Sequence, residues 1–151
     1  MSDDGGADLR RSSGTALALA GFLLAAGLAH FAFPQPYQRI VPRLLDDPAL
    51  WVRLSGVAEI GCAALVAHRR TRRLGAHAAI VLFVVVFPAN VQMALDGGIP
   101  GKPFPWGSPV VAWLRLPLQV PLVLWAWRVA SGNAPTQGRT VSSTEPSAGP
   151  P

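Results

Sequence analysis

Among the polar side chains inside otherwise apolar stretches of this chain, six could do chemistry together: His30, Ser55, Glu59, Asn90, Arg115 and Gln119. Glu59 or His30 can carry a proton, Arg115 brings a fixed positive charge, and the two amides supply donors and acceptors. Ser55, Glu59 and Cys62 fall on one helical face by their spacing, as do Arg115 and Gln119. Opposite charge makes Glu59 and Arg115 the expected ion pair. Gln92, about 200° round a helix from Asn90, is expected to point elsewhere. There is no nucleophile motif and no cofactor motif, so the residues name no catalytic centre. Cys62 is the single cysteine, which excludes an intrachain disulfide, a CxxC redox pair and a four-thiolate metal site; it reads as a small packed side chain. A metal held by His30 and Glu59 lacks paired-ligand spacing, and none is expected. His68 and His77 flank a run of arginines and would be the pair to face a haem, but interfacial histidines usually meet water.

The elements that must position these residues read as membrane spans. Half of the 151 residues are apolar and 14% are charged, against about 25% in soluble domains. Four apolar stretches are long enough to cross a hydrocarbon layer of roughly 30 Å at about 1.5 Å per residue: residues 13–33, 49–68, 74–95 and 110–129. The expected fold is therefore all-α, an up-down-up-down four-helix membrane bundle over residues 13–130. A disordered leader is expected over 1–12 and a disordered Ser/Pro-rich tail over 131–151. The connection from Pro34 to Pro48 should be ordered or partly helical, and the Gly/Pro-rich stretch after span three must be loop. Counted from the ends that meet those two connections, His30, Glu59, Asn90, Arg115 and Gln119 lie roughly 6 to 14 Å deep. They form one polar layer in a single half of the bilayer, and Pro88 and Pro117 free the carbonyls of Val84 and Trp113 close to it.

Charge orients the spans. Arg69, Arg70, Arg72 and Arg73 crowd the shortest loop, and with Arg10, Arg11, Arg128 and Arg139 they outnumber Arg39, Arg43, Arg53, Lys102 and Arg115 at the other end. Both termini are thus expected in the cytoplasm, with the protein multi-pass in a bacterial inner (plasma) membrane. Nucleic acid is the other partner for such a cluster, but between two apolar runs the loop reading prevails, and no nucleic-acid partner is expected. Arg10 and Arg11 before an apolar run also fit a signal peptide, whose apolar core is however shorter than span one.

The polar layer supports two readings. In one it is structural, an ion pair and amides that fix helix register. In the other it receives a proton-coupled ligand such as a quinone headgroup. Partners expected besides the lipid bilayer are subunits of a membrane redox complex or further copies of the chain; a carrier is disfavoured because four spans are few for alternating access.

Five segments, AGLAHF (Ala26 to Phe31), the P-x-P-Y-x-x-I-V-P element (Pro34 to Pro42), SGVAE (Ser55 to Glu59), FPANVQMA (Phe87 to Ala94) and RLPLQ (Arg115 to Gln119), together resemble the DoxX-like family of small four-span bacterial membrane proteins. The resemblance covers about Gly27 to Trp127. It implies a four-helix membrane bundle and, from some relatives, an accessory, quinone-contacting place in a redox or oxidative-stress system. From others it implies a role in membrane-protein assembly. The thiol pairs of disulfide-exchanging relatives are absent here.

Overall fold

The structure, a computed structural model, describes residues 4–99, 101–104 and 107–132, with side chains from Ser13 onward. Among these residues the chain forms five helices and no strand: α1 (Asp4–Ala32), α2 (Pro34–Gln38), α3 (Pro48–Ala67), α4 (Arg72–Leu95) and α5 (Pro109–Ser131). Four of them are long and apolar enough to cross a membrane. The tail expected to be disordered lies, beyond Gly132, outside the described residues. At the other end, α1 starts at Asp4 rather than at Ser13. Extending an existing helix fixes one residue per added hydrogen bond, so propagation backwards from the apolar span costs little compared with nucleation.

Local chemistry sets the helix limits. Asp47 takes the left-handed region (φ 54°), and its carboxylate accepts from the Leu50 amide at 3.1 Å, while Pro48 supplies a preset first position for α3. Pro109 opens α5 in the same way. Gly97, at φ 75°, closes α4: its amide donates to the Ala94 carbonyl and that of Gly98 to Met93. Pro88, Pro117 and Pro121 all stand inside helices without ending them, as neighbouring helices can serve the groups a proline frees.

The four long helices stand in a ring. α1 packs chiefly on α3, α3 on α4 and α4 on α5, and a lighter contact returns from α5 to α1. Trp125 helps to close that last seam: its indole N–H donates to the Thr15 carbonyl at 3.2 Å, and its ring tilts against Phe22. Leu24, Val57, Val85 and Leu118 point outward, one from each helix, as lipid-facing residues should.

The interior divides along its length. At the end of the α3–α4 turn, Leu19, Leu23, Val66, Phe83 and Val129 pack among small residues such as Ala76, Ala79 and Ala126. At the end that carries α2, a smaller cluster joins Ile40, Met93, Ala94, Ile99 and Ala112. Glu59 and Gln119 are buried polar members of the interior that belong to neither cluster.

Candidate functional site

Two glycines bring His30 and Glu59 together. A Cβ on Gly27 would fall 2.9 Å from the Gly56 carbonyl oxygen and 3.1 Å from the Glu59 Cβ; one on Gly56 would fall 3.1 Å from the Gly27 carbonyl oxygen and 3.0 Å from the His30 Cβ. Each glycine makes room for the ionisable residue of the opposite helix, and α1 and α3 approach backbone to backbone. His30 Nδ1 then lies 3.1 Å from Glu59 Oε2. The same nitrogen lies 2.9 Å from the Ala26 carbonyl oxygen, which only accepts, so Nδ1 carries the proton and donates to Ala26. Glu59 Oε2 is close but off the axis of that N–H, and it is buried with no aligned hydrogen bond. Ser55 Oγ, one turn away on the same face, is likewise buried without a partner.

Tyr37 of α2 covers this pair. Its ring stacks on the His30 imidazole with centroids 4.0 Å apart. Burial pushes the Tyr37 phenol above its ordinary range, the Glu59 carboxylate pushes it further, and the Arg115 guanidinium opposes both. The phenol therefore feels both charges that the sequence singles out.

Those two charges do not pair with each other. Glu59 meets His30, while Arg115 directs Nη1 to the Met93 sulfur at 3.7 Å. The reason is the ring: α3 and α5 stand diagonally opposite, so a carboxylate on one and a guanidinium on the other reach different neighbours. A second polar group forms on the α4–α5 side. Asn90 Nδ2 donates to Gln119 Oε1 at 3.0 Å, and Gln119 Nε2 donates to the Phe83 carbonyl. That carbonyl sits five residues before Pro88, adjacent to the Val84 oxygen that the proline leaves without its usual donor. Gln92 bonds outward to Asp96 Oδ2 at 3.0 Å, as its position round the helix requires. The layer thus has two halves: His30, Ser55 and Glu59 under Tyr37, and Asn90 with Gln119 beside Arg115.

Residues 19–130 match the model of a domain of unknown function, DUF8561. The chain belongs to that family. The matched stretch runs from within α1 to within α5 and contains every residue of both halves of the layer. No curated protein and no solved structure matches the chain.

Sequence reasoning misses three contributors. Tyr37 is legible only as part of a proline-rich connection. Gly27 and Gly56 each precede an ionisable residue by three positions, a repeated Gly-x-x-His and Gly-x-x-Glu spacing that is the available signal. The third is at the far end, where the arginines of the α3–α4 turn do more than add charge. Arg72 Nε donates to the Val66 carbonyl at 3.2 Å and Arg73 Nε to Ala130 at 3.1 Å, so they serve the C-terminal carbonyls of α3 and α5. Thr71 Oγ1 adds a bond to Leu65 at 2.9 Å, and Gly75 permits the tight turn, since a Cβ there would lie 2.6 Å from the Val66 nitrogen.

Proposed function

We propose that this protein is an accessory component of a bacterial plasma-membrane redox or oxidative-stress system, contacting a quinone headgroup at the His30–Glu59–Tyr37 cluster. One observation carries this reading: a buried carboxylate oxygen with no aligned donor, set against an imidazole N–H and roofed by an aromatic ring. Such an oxygen fits a hydroxyl donor from a ligand that arrives through lipid, since leaving it unmet costs about 1–3 kcal/mol. A bound quinone would supply two-electron, two-proton chemistry. Glu59 accepts or returns one of the two protons at Oε2, His30 holds its own proton at Nδ1, Tyr37 offers a flat surface, and the second proton and both electrons are exchanged with the partner complex. No electron donor belongs to this chain's proposed part, so the role is that of a subunit. The DoxX-like resemblance of the five segments supports the same reading.

The test is purification in mild detergent, organic extraction, and titration with added quinol, the form that carries the hydroxyl donor. Co-purifying or saturable quinone, lost in Glu59→Gln and weakened in Arg115→Ala, is expected; no quinone and no binding would defeat the proposal. Orientation belongs to it too: reporters at either terminus should be cytoplasmic, because the arginine-rich turn retains that end.

A second reading, a scaffold or assembly factor, draws on the α4–α5 half. There Asn90 and Gln119 bond each other and a backbone carbonyl, an arrangement suited to fixing register. It predicts a co-purifying membrane protein whose abundance falls when this chain is deleted.

A further inference from the structure

We propose that the turn between α3 and α4 is a binding site for the phosphate of an anionic phospholipid, held by Arg69 and Arg70. The two arginines that follow, at the start of α4, each bond to a helix-end carbonyl. Arg72 and Arg73 direct their Nε groups to Val66 and Ala130, where the carbonyl ends of α3 and α5 carry partial negative charge. Arg72 is buried in that role. Arg69 and Arg70 are exposed on the turn itself, and among the described residues neither makes a hydrogen bond or an ion pair. Nor does a described acidic side chain stand at this end: Asp46, Asp47 and Asp96 lie at the α2 end, and Glu59 in the polar layer.

The surroundings select the partner. The turn joins two helices that are both apolar enough to cross a membrane, so its position is the level of the lipid headgroups. Arg128, in the last turn of α5, is exposed at the same end beside exposed Trp127. Contact between Arg73 and Ala130 draws that end of α5 to the start of α4. A set of guanidinium groups at headgroup depth with no described acidic side chain at its end of the bundle, where an exposed indole also stands, matches a phosphodiester tethered in the bilayer. The site is at the opposite end of the bundle from Tyr37 and does not depend on the quinone reading.

The test uses the whole protein in nanodiscs of zwitterionic lipid doped with phosphatidylglycerol, with retained lipid measured by native mass spectrometry and melting followed in parallel. Wild type should retain phosphatidylglycerol over the zwitterionic lipid. Replacing Arg69→Gln or Arg70→Gln should weaken that preference about five-fold each, with melting in pure zwitterionic lipid unchanged because neither residue caps a helix. Arg72→Gln serves as the contrast: it should lower melting in every lipid by uncapping α3. Glycerol phosphate, the water-soluble headgroup, should neither compete nor shift melting. Equal retention of both lipids by wild type, or an undiminished preference in the double Arg69→Gln, Arg70→Gln variant, would overturn the proposal; competition by glycerol phosphate would also overturn it, by reassigning the site to free phosphate anions.

Discussion

At the scale of the residue, the organising fact is that one imidazole nitrogen stands between two oxygens. Nδ1 of His30 donates to the Ala26 carbonyl while Glu59 Oε2 waits 3.1 Å away. Removing either partner removes the same contact, so His30→Ala and Glu59→Ala should be strongly non-additive, coupled by about 1–3 kcal/mol in unfolding of the detergent-solubilised protein. Arg115→Ala combined with Glu59→Ala should come much closer to additivity, because the two side chains form no ion pair with each other. Additive losses for the first pair would show that the imidazole and carboxylate do not interact. Tyr37 gives an independent reading. It is the chain's only tyrosine, so the ultraviolet absorbance of tyrosinate reports it alone. Its midpoint should lie above the ordinary value of about 10, fall in Glu59→Gln, where a like charge is removed, and rise in Arg115→Ala, where an opposing one is lost. The sign for stability follows from linkage. With the folded phenol titrating above the unfolded one, its contribution is intact below about pH 10 and is lost as pH rises through the folded value. Tyr37→Phe should flatten that alkaline loss.

At the scale of the element, glycines decide where helices can meet. Gly27→Ala would press a methyl against the Gly56 carbonyl and the Ile60 side chain. The helices must then part, at about 1–3 kcal/mol for overpacking, and the His30–Glu59 contact should loosen with them. Gly21 lies on the same helix, and a methyl added there would have nothing within 4 Å. Gly21→Ala should therefore be neutral or stabilising by up to about 1 kcal/mol. Thermal melting of the two variants checks this, and equal effects would show that the close approach at Gly27 does not hold α1 against α3. Elements are also where the sequence is most readable. Four apolar stretches flanked by proline, glycine and arginine place the long helices to within a few residues, except the start of α1, which lies nine residues earlier at Asp4, and span depth locates the polar residues. Charge alone misassigns the partner of Glu59, although connectivity holds the right answer. Consecutive spans pack as neighbours, which leaves spans two and four diagonal in a ring and puts His30, not Arg115, beside Glu59. Other contacts have no such signal. The stacking of Tyr37 depends on how α2 folds back over α1, and the caps by Arg72 and Arg73 depend on where carbonyls end up in space.

At the scale of the whole molecule, a polar layer interrupts the apolar interior between its two clusters, and the layer has two unequal halves. On the α4–α5 side, amides satisfy one another and a carbonyl; that half holds helices in register. On the α1–α3 side, a carboxylate oxygen and a serine hydroxyl are buried without aligned partners; that half has hydrogen-bonding capacity to give to a ligand. At the far end, arginines divide in the same way between those that cap helices and those that remain for lipid. Whether the α1–α3 half receives a quinone headgroup in its hydroxyl-bearing, reduced form is tested most directly by calorimetric titration of a short-chain quinol into the solubilised protein under reducing conditions. Saturable binding is expected, weakened about tenfold or more by Glu59→Gln, the worth of one hydrogen bond to a charged group, and unchanged by Arg69→Gln. Saturable binding of equal strength in wild type and Glu59→Gln, or no saturable heat in wild type, would contradict it.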